Sequence, residues 1–263
     1  MDLGLLGMTA LVTGASQGLG YATALKLAEE GCLVAINSRS QEKISAAAER
    51  ISSLTGAVAV PIPGDVTNPV DLEKLVQQSV SKLGGLDILV TNSGGPPSGK
   101  FDDLDDQAWK MATELNFLSH MRLIRAALPY LRSSQAASVL TITSNAVKQP
   151  IPNLILSNSV RAATIGLTKT LALELGAEGI RFNSILPAWI ETERIYQLIT
   201  DRAEINNSTP EEEMAQQAKE SPLGRMGTPE EFANVAVFLL SPAASYITGV
   251  MMTVDGGMYK GIF

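Results

Sequence analysis

Apolar positions along the chain follow two alternating rhythms. Short runs in which nearly every residue is apolar or β-branched predict strands at residues 9–13, 33–37, 57–61, 87–91, 138–142, 181–186 and 250–254. Longer segments between them carry apolar residues at helical spacing, at residues 19–30, 41–54, 70–83, 105–131, 157–175 and 229–240. Strands this continuously apolar need helices over both faces, and parallel partners need crossovers of a dozen or more residues. The pattern therefore predicts an α/β chain, a doubly wound parallel sheet of about seven strands with helices on both faces. Met251-Met252 reads as core strand. The rhythm breaks across residues 190–225, where Thr192-Glu193-Arg194, Asn206-Asn207-Ser208-Thr209-Pro210 and Glu211-Glu212-Glu213 interrupt it, the last reading as a solvated helix start after Pro210. An insertion of that length near a carboxyl strand end reads as a substrate lid. No repeat, low-complexity tract or linker divides residues 1–263, which read as a single domain.

Composition narrows the classes. Twenty Lys+Arg against 27 Asp+Glu give a net charge of −7, with 45% hydrophobic and 18% charged residues. That is too apolar for a disordered chain and too acidic for a nucleic-acid binder. The lone Cys32 has no intrachain disulfide partner, and apolar stretches such as 185–190 and 234–240 fall well short of the roughly 18 residues that span a bilayer. The start, Met1-Asp2-Leu3-Gly4-Leu5-Leu6-Gly7, has no basic region ahead of its apolar run. The expectation is a cytoplasmic protein without membrane or nucleic-acid partners, acting on a small molecule. No cluster has metal-ligand spacing, so no metal is expected.

The first strand runs directly into Thr13-Gly14-Ala15-Ser16-Gln17-Gly18-Leu19-Gly20, which opens the first helix. Glycines in such a turn let the backbone approach a pyrophosphate and aim helix N-terminal N–H groups at its charge. Strand, glycine-rich turn, helix and second strand together point to a dinucleotide. At the end of the second strand, a carboxylate would bind the adenosine ribose of NAD(H), whereas an arginine would pair with the 2′-phosphate of NADP(H). The residues there are Asn37-Ser38-Arg39-Ser40, which favours NADP(H) over NAD(H).

Taken together these residues resemble the short-chain dehydrogenase/reductase family over essentially the whole chain. The glycine-rich turn resembles the family's TGxxxGxG, Asp65-Val66 its adenine-contacting DV, and Thr91-Asn92-Ser93-Gly94 its NNAG. Asn116 matches the helix-four asparagine, and Pro187-Ala188-Trp189-Ile190-Glu191-Thr192 resembles PGxIxT. Gly224-Arg225-Met226-Gly227, Ile247-Thr248-Gly249 and Asp255-Gly256-Gly257 resemble later segments. The resemblance implies a Rossmann-like fold and a homo-oligomer, tetramer or dimer. It also implies cofactor contacts from Gly14, Ser16, Gln17, Gly18, Leu19, Gly20, Ser38, Arg39, Asp65, Val66, Asn92, Gly94, Arg161, Pro187, Ile190 and Thr192. The loosest label it carries is that of a 3-oxoacyl carrier-protein reductase.

The family's reaction centre is Asn, Ser, Tyr and Lys, with the serine thirteen residues before the tyrosine and the lysine four after it. Counting on this chain places Asn116 and Ser144 at the first two positions, Ser157 at the tyrosine position and Arg161 at the lysine position. A serine hydroxyl is a far weaker acid than a phenol and is shorter. Arg161 keeps the positive charge, sits one helical turn from Ser157 and has a planar fork suited to two ribose hydroxyls. Lys148, four residues after Ser144, is a candidate proton donor. The candidate catalytic residues are thus Ser144, Asn116, Arg161, Ser157 and Lys148. Three readings stay open: a carbonyl reductase with a substituted acid, a same-scaffold enzyme of altered chemistry (alkene reduction, isomerisation or dehydration), and a non-catalytic nucleotide-binding protein. His120 reads as a packed helix residue, and Tyr196, the one tyrosine placed in the lid where it could reach the cleft, reads as a lid packing residue.

Overall fold

The structure, a computed structural model, describes residues 1–262. Its strands β1 (Thr9–Val12), β2 (Leu33–Ser38), β3 (Ala59–Pro63), β4 (Ile88–Thr91), β5 (Ser138–Ile142), β6 (Arg181–Pro187) and β7 (Met251–Val254) form one sheet in the order β3-β2-β1-β4-β5-β6-β7. Every pairing is parallel, with Leu11 opposite Ala35 on one side and Leu89 on the other. The doubly wound, Rossmann-like architecture that the alternation of periods 2 and 3.6 predicts is the one observed.

Successive residues of β1 serve opposite cores, as a strand period of two demands. Ala10 and Val12 join the layer formed with α1 (Gly18–Glu29), α2 (Gln41–Thr55) and α9 (Pro229–Leu240), through Leu27, Ile51 and Phe232. Leu11 joins the layer on the other face, with α3 (Pro69–Leu83), α5 (Ser119–Leu131) and α6 (Ile155–Leu175), through Leu75, Ile124 and Ala172. The helix starts carry their own signals. Ser40, Asn68 and Thr228 each accept a backbone N–H in the first turn, and Gly56 and Gly84 end α2 and α3 in the left-handed conformation.

Three sequence expectations change. The predicted helix over 105–131 is two helices, α4 (Asp106–Thr113) and α5, joined by a π-helical segment, Glu114–Leu118, which is a local widening that apolar spacing does not signal. Residues 190–225 hold α7 (Glu193–Asn206) and α8 (Pro210–Glu220). Helix α7 carries no signal that the sequence reading used, whereas α8 begins where Pro210 and Glu211-Glu212-Glu213 place a helix start, with Thr209 and Glu212 forming a reciprocal capping box. Met251 and Met252 are 43% and 37% exposed, not core, because β7 is an edge strand with no further strand beyond it. No helix among the described residues is long and apolar enough to cross a membrane.

Arg181 at the start of β6 ties the sheet to α9. Its guanidinium donates to the carbonyls of Leu239, Leu240, Ser241 and Ile247 at 2.7–3.3 Å, satisfying the open C-terminal end of α9 where the helix dipole is negative. Burial pushes this guanidinium down to about 10, still charged at neutral pH. Arg181→Met keeps the stem and removes all four donations, leaving the Leu239 and Leu240 carbonyls unpaired while Ser241 O keeps Ala244 N and Ile247 O keeps Asn183 Nδ2. We expect a loss of about 3 kcal/mol in urea denaturation, and a loss below about 1 kcal/mol would show that water replaces the guanidinium.

Candidate functional site

The order of strands reverses between β1 and β4, so the connections after them leave on opposite faces and open a crevice at their carboxyl ends. A cleft of about 280 Å³ lies there, walled by the glycine-rich turn, the ends of β4, β5 and β6, and the start of α7. Thr13 Oγ donates to Asn92 O at 2.8 Å and accepts from Asn92 N at 2.9 Å, while Asn92 Nδ2 donates to Gly14 O at 3.0 Å. Gly14 has φ 58°, and a Cβ on it would lie 2.8 Å from Asn92 Nδ2. A Cβ on Gly20 would collide with the Gly14 carbonyl oxygen. These two glycines are therefore demanded by close backbone approach. The first turn of α1 has no side-chain cap, since Gln17 Nε2 donates instead to Glu193 Oε2 at 2.5 Å. Its N–H groups remain available to an anion.

Opposite this cradle lies a polar wall. Ser144, at the end of β5, caps the short 3-10 turn Asn145–Val147 by accepting from Ala146 N at 3.1 Å. Its lone pair is thereby engaged and its hydrogen is free to donate. Ser157, near the start of α6, faces the cleft with no hydrogen-bond partner among the described residues. One turn further, Arg161 is 7% exposed and donates from Nη1 to the carbonyls of Ile142 and Thr143, both at 3.3 Å. Burial first, and the Arg194 charge second, push the Arg161 guanidinium down to about 10. It stays cationic at neutral pH. Ile151, Leu154, Trp189 and Ile195 supply apolar surface between these groups.

Of the residues singled out in the sequence, Gly14, Gln17, Gly18, Leu19, Asn92, Gly94, Ser144, Ser157, Arg161, Pro187, Ile190 and Thr192 line this cleft. Gly20 stands behind the turn as a packing position. Ser16, Ser38, Arg39, Asp65 and Val66 do not line the cleft. Arg39 is exposed at the end of β2, and the Asp65 carboxylate accepts from Thr67 N and Oγ at 2.9 and 2.8 Å. Asn116 sits in the π-helical segment behind the wall. Its amide donates to Ser93 Oγ at 2.9 Å and Gly94 O at 2.8 Å, and its own carbonyl accepts from Thr164 Oγ at 2.6 Å, so it fixes the loop after β4. Lys148 leaves the 3-10 turn on the far side, with Nζ 5.1 Å from the centre of the Tyr259 ring, and does not line the cleft. Tyr196 is 43% exposed and does not line it either. Among the lining residues not singled out for the site are Asn145, which follows a strand and carries no spacing signal, and Arg194, which lies in the segment read as a lid with no role for any single charge.

A protein-family model described as Enoyl-(Acyl carrier protein) reductase matches residues 14–259. Dehydrogenase/reductase SDR family member 4 of Oryctolagus cuniculus is 34% identical over 258 residues, covering 96% of this chain and 94% of that protein. Among solved structures, L-sorbose reductase from Gluconobacter frateurii, complexed with NADPH and L-sorbose, superposes with a TM-score of 0.94 at 31% identity over the whole of both chains. A 7α-hydroxysteroid dehydrogenase complexed with NADH and 7-oxo glycochenodeoxycholic acid gives 0.89 at 32% identity, covering 100% of this chain and 98% of that one.

His120 is fully buried between Thr91 Oγ, 2.7 Å from Nδ1, and Ser93 Oγ, 3.4 Å from Nε2. Burial, and then the Arg161 charge, push it from an ordinary 6.5 down to about 3, so it is neutral in the folded protein. The sign follows from linkage: below pH 6.5 the unfolded chain binds a proton that the folded chain refuses. The contribution is whole above pH 6.5 and is lost as pH falls toward 3, by up to about 1.4 kcal/mol per pH unit. His120→Gln keeps a hydrogen-bonding group and removes the titration. Its stability to urea should therefore fall less steeply than that of the unmodified protein between pH 6.5 and 4.5, and equal slopes would refute a neutral His120.

Proposed function

The chain belongs to the short-chain dehydrogenase/reductase family of oxidoreductases, and from that premise we propose that it reduces the carbonyl group of a small molecule, or oxidises the matching alcohol, with NADP(H). The observation that carries this reading is the meeting, in one cleft, of the glycine cradle with Ser144, Ser157 and Arg161. The residues fit a dinucleotide. The close contact of Gly14 and Gly20 leaves the turn without side chains where a diphosphate would approach, and the uncapped N–H groups of α1 would hold it. Arg39, exposed and unpaired among the described residues, would take the 2′-phosphate. Arg161 would hold the nicotinamide ribose with its two-pronged fork. When bound, the nucleotide supplies or accepts the hydride.

This chain's residues do the rest. The free hydrogen of Ser144 donates to the substrate oxygen, and the Arg161 charge stabilises the anionic character that oxygen gains. Ser157 holds a water through which the substrate oxygen takes its proton from bulk solvent, a relay that the short serine hydroxyl, with no group behind it to restore its proton, does not supply by itself. Lys148 lies over Tyr259, away from the wall, and takes no part in this scheme. Helices α7 and α8 act as the substrate lid, their inner face built on Trp189, Ile199 and Met226. The first substrates to try are 3-oxoacyl thioesters and small ketones. We read the protein as cytoplasmic and homo-oligomeric, with exposed Met251 and Met252 on β7 as surface for a second copy. One observation favours a second chemistry: no tyrosine lines the cleft, which suits reduction of a conjugated alkene, where the proton goes to carbon.

The test is nucleotide consumption over a panel of ketones, oxoacyl thioesters and enones. Turnover of ketones with NADPH supports the proposal, and turnover of enones alone transfers it to the second chemistry. Arg39→Asp should weaken NADPH binding by at least tenfold while NADH changes little, and equal affinity of the unmodified protein for both nucleotides would remove the NADP(H) preference. Arg161→Met should lose nucleotide affinity together with turnover; unchanged binding would show that the fork serves something else. The cleft wall offers no imidazole, thiol, phenol or amine, so with water as the proton source kcat should vary less than threefold from pH 6 to 9. A clear break within that range would bring back a titrating donor such as Lys148.

A further inference from the structure

The cleft holds more positive charge than nucleotide binding and carbonyl reduction require. Arg161 and Arg194 both line it, close enough for each charge to be felt by the other. Among the described residues neither forms an ion pair with a carboxylate. The one acidic side chain on the wall, Glu193, is taken by Gln17. Asp201, two turns along α7, acts on Arg194 only at a distance, and its carboxylate accepts from Gln197 at 2.9 Å.

Arg194 is also held in place at a cost. It stands in the first turn of α7, where the helix dipole disfavours a cation. Its Nη2 donates to Pro96 O at 2.9 Å, and the guanidinium lies flat across Gly95, where even a Cβ would come within 3.1 Å of Nε and Nη2. A side chain at 95 would press the guanidinium away by a few tenths of an ångström, so glycine there suits that pose. The loop after β4 and the start of α7 thus fix a cation at the mouth of the cleft with part of its hydrogen-bonding fork unspent. Beside it on the same helix, Ile195 and Leu198 turn apolar surface into the cleft, with Leu154 and Ile151 across from them.

From this juxtaposition we propose that the substrate is an anionic carbonyl compound, an oxo-carboxylate with a short apolar body, whose carboxylate is bound by Arg194 while its carbonyl faces Ser144. The inference rests on reading the cleft as a carbonyl-reducing site. The diphosphate of the nucleotide is the other anion to weigh. It belongs beside the α1 turn, whereas Arg194 lies over Gly95 and Pro96, past the end of β4. A charge-assisted bond made in a partly apolar cleft discriminates strongly against a neutral isostere, since the guanidinium would otherwise stay unpaired.

Two measurements test it. In kinetics, 2-oxo-4-phenylbutyrate is compared with its ethyl ester. The unmodified protein should favour the acid by about 30-fold or more in kcat/KM, and Arg194→Gln should collapse that ratio toward one, with Arg194→Lys in between. In calorimetry, 4-phenylbutyrate is compared with 4-phenylbutyramide as non-reacting probes of the nucleotide-loaded protein. The carboxylate should bind about 30-fold tighter, and Arg194→Gln should erase the difference while nucleotide affinity stays within twofold. If no carbonyl compound turns over but the carboxylate still binds through Arg194, the reductase reading fails and the anion site stands. If acid and ester, or acid and amide, are treated alike by the unmodified protein, the anion site is overturned. A loss of nucleotide affinity in Arg194→Gln as large as the loss for the carboxylate would assign Arg194 to the cofactor and overturn it equally.

Discussion

The joint between the ends of β1 and β4 governs the rest of the molecule. At this point the strand order reverses and the covering helices part, so the floor of the crevice depends on how the two strand ends are joined. Thr13 and Asn92 join them through reciprocal bonds between one side-chain hydroxyl and the opposite backbone, and the Asn92 amide fastens the first glycine of the cradle. Each bond is worth about 1 kcal/mol net, too little to matter for stability alone. Their effect is positional. Because Gly14 and Gly20 are in backbone contact, a shift of either strand end would displace the amides of α1 and, through Ser93 and Gly94, the loop that Asn116 pins from behind.

A second constraint works on the far wall, where polar groups are buried in series. Thr91, His120, Ser93 and Asn116 form a run of short contacts ending at the Gly94 carbonyl. The π-helical segment explains how Asn116 can serve both ends. By widening the helix for a turn it presents the Asn116 amide to the β4 loop and its carbonyl to Thr164 of α6. Loop, helix and wall are thereby linked through one residue, and α6 carries Ser157 and Arg161 to fixed places over the end of β5.

The fold was legible because the central strands are buried on both faces, which writes an unbroken apolar run, and because a helix start such as Pro210-Glu211-Glu212-Glu213 announces itself by proline and acid in its first turn. The cradle was legible for a similar reason: Gly14 and Gly20 are forced by backbone contact, and such a requirement leaves a residue-type signature. What stayed hidden depends on direction. Lys148 and Ser144 are four residues apart on one short turn, yet the turn sends one into the cleft and the other toward Tyr259, and no spacing rule records that. Arg194 was hidden because its partners, Gly95 and Pro96, lie almost a hundred residues earlier, and a cation in the first turn of a helix reads as an unremarkable surface charge until the loop beneath it is seen. The exposure of Met251 and Met252 belongs with these, since an edge strand and a central one share the same apolar run and differ only in whether a neighbour follows.

These directions set the division of labour among the ionisable groups. A buried imidazole and a buried guanidinium cannot both be charged at close range in an apolar setting, and the guanidinium, with by far the higher intrinsic pKa, keeps the charge. His120 is thereby fixed as a neutral strut, and Arg161 as a permanent cation that two strand-end carbonyls orient but do not neutralise. Permanence has a chemical consequence. A lysine in that place would answer to its surroundings by releasing its proton, whereas the arginine, even pushed down to about 10, holds a constant field over the cleft around neutral pH. Such a site stabilises developing negative charge well and donates protons badly. In the reduction proposed above the proton then comes from a small mobile source, for which the unpartnered hydroxyl of Ser157, lining the cleft one helical turn from the cation, is a polar anchor.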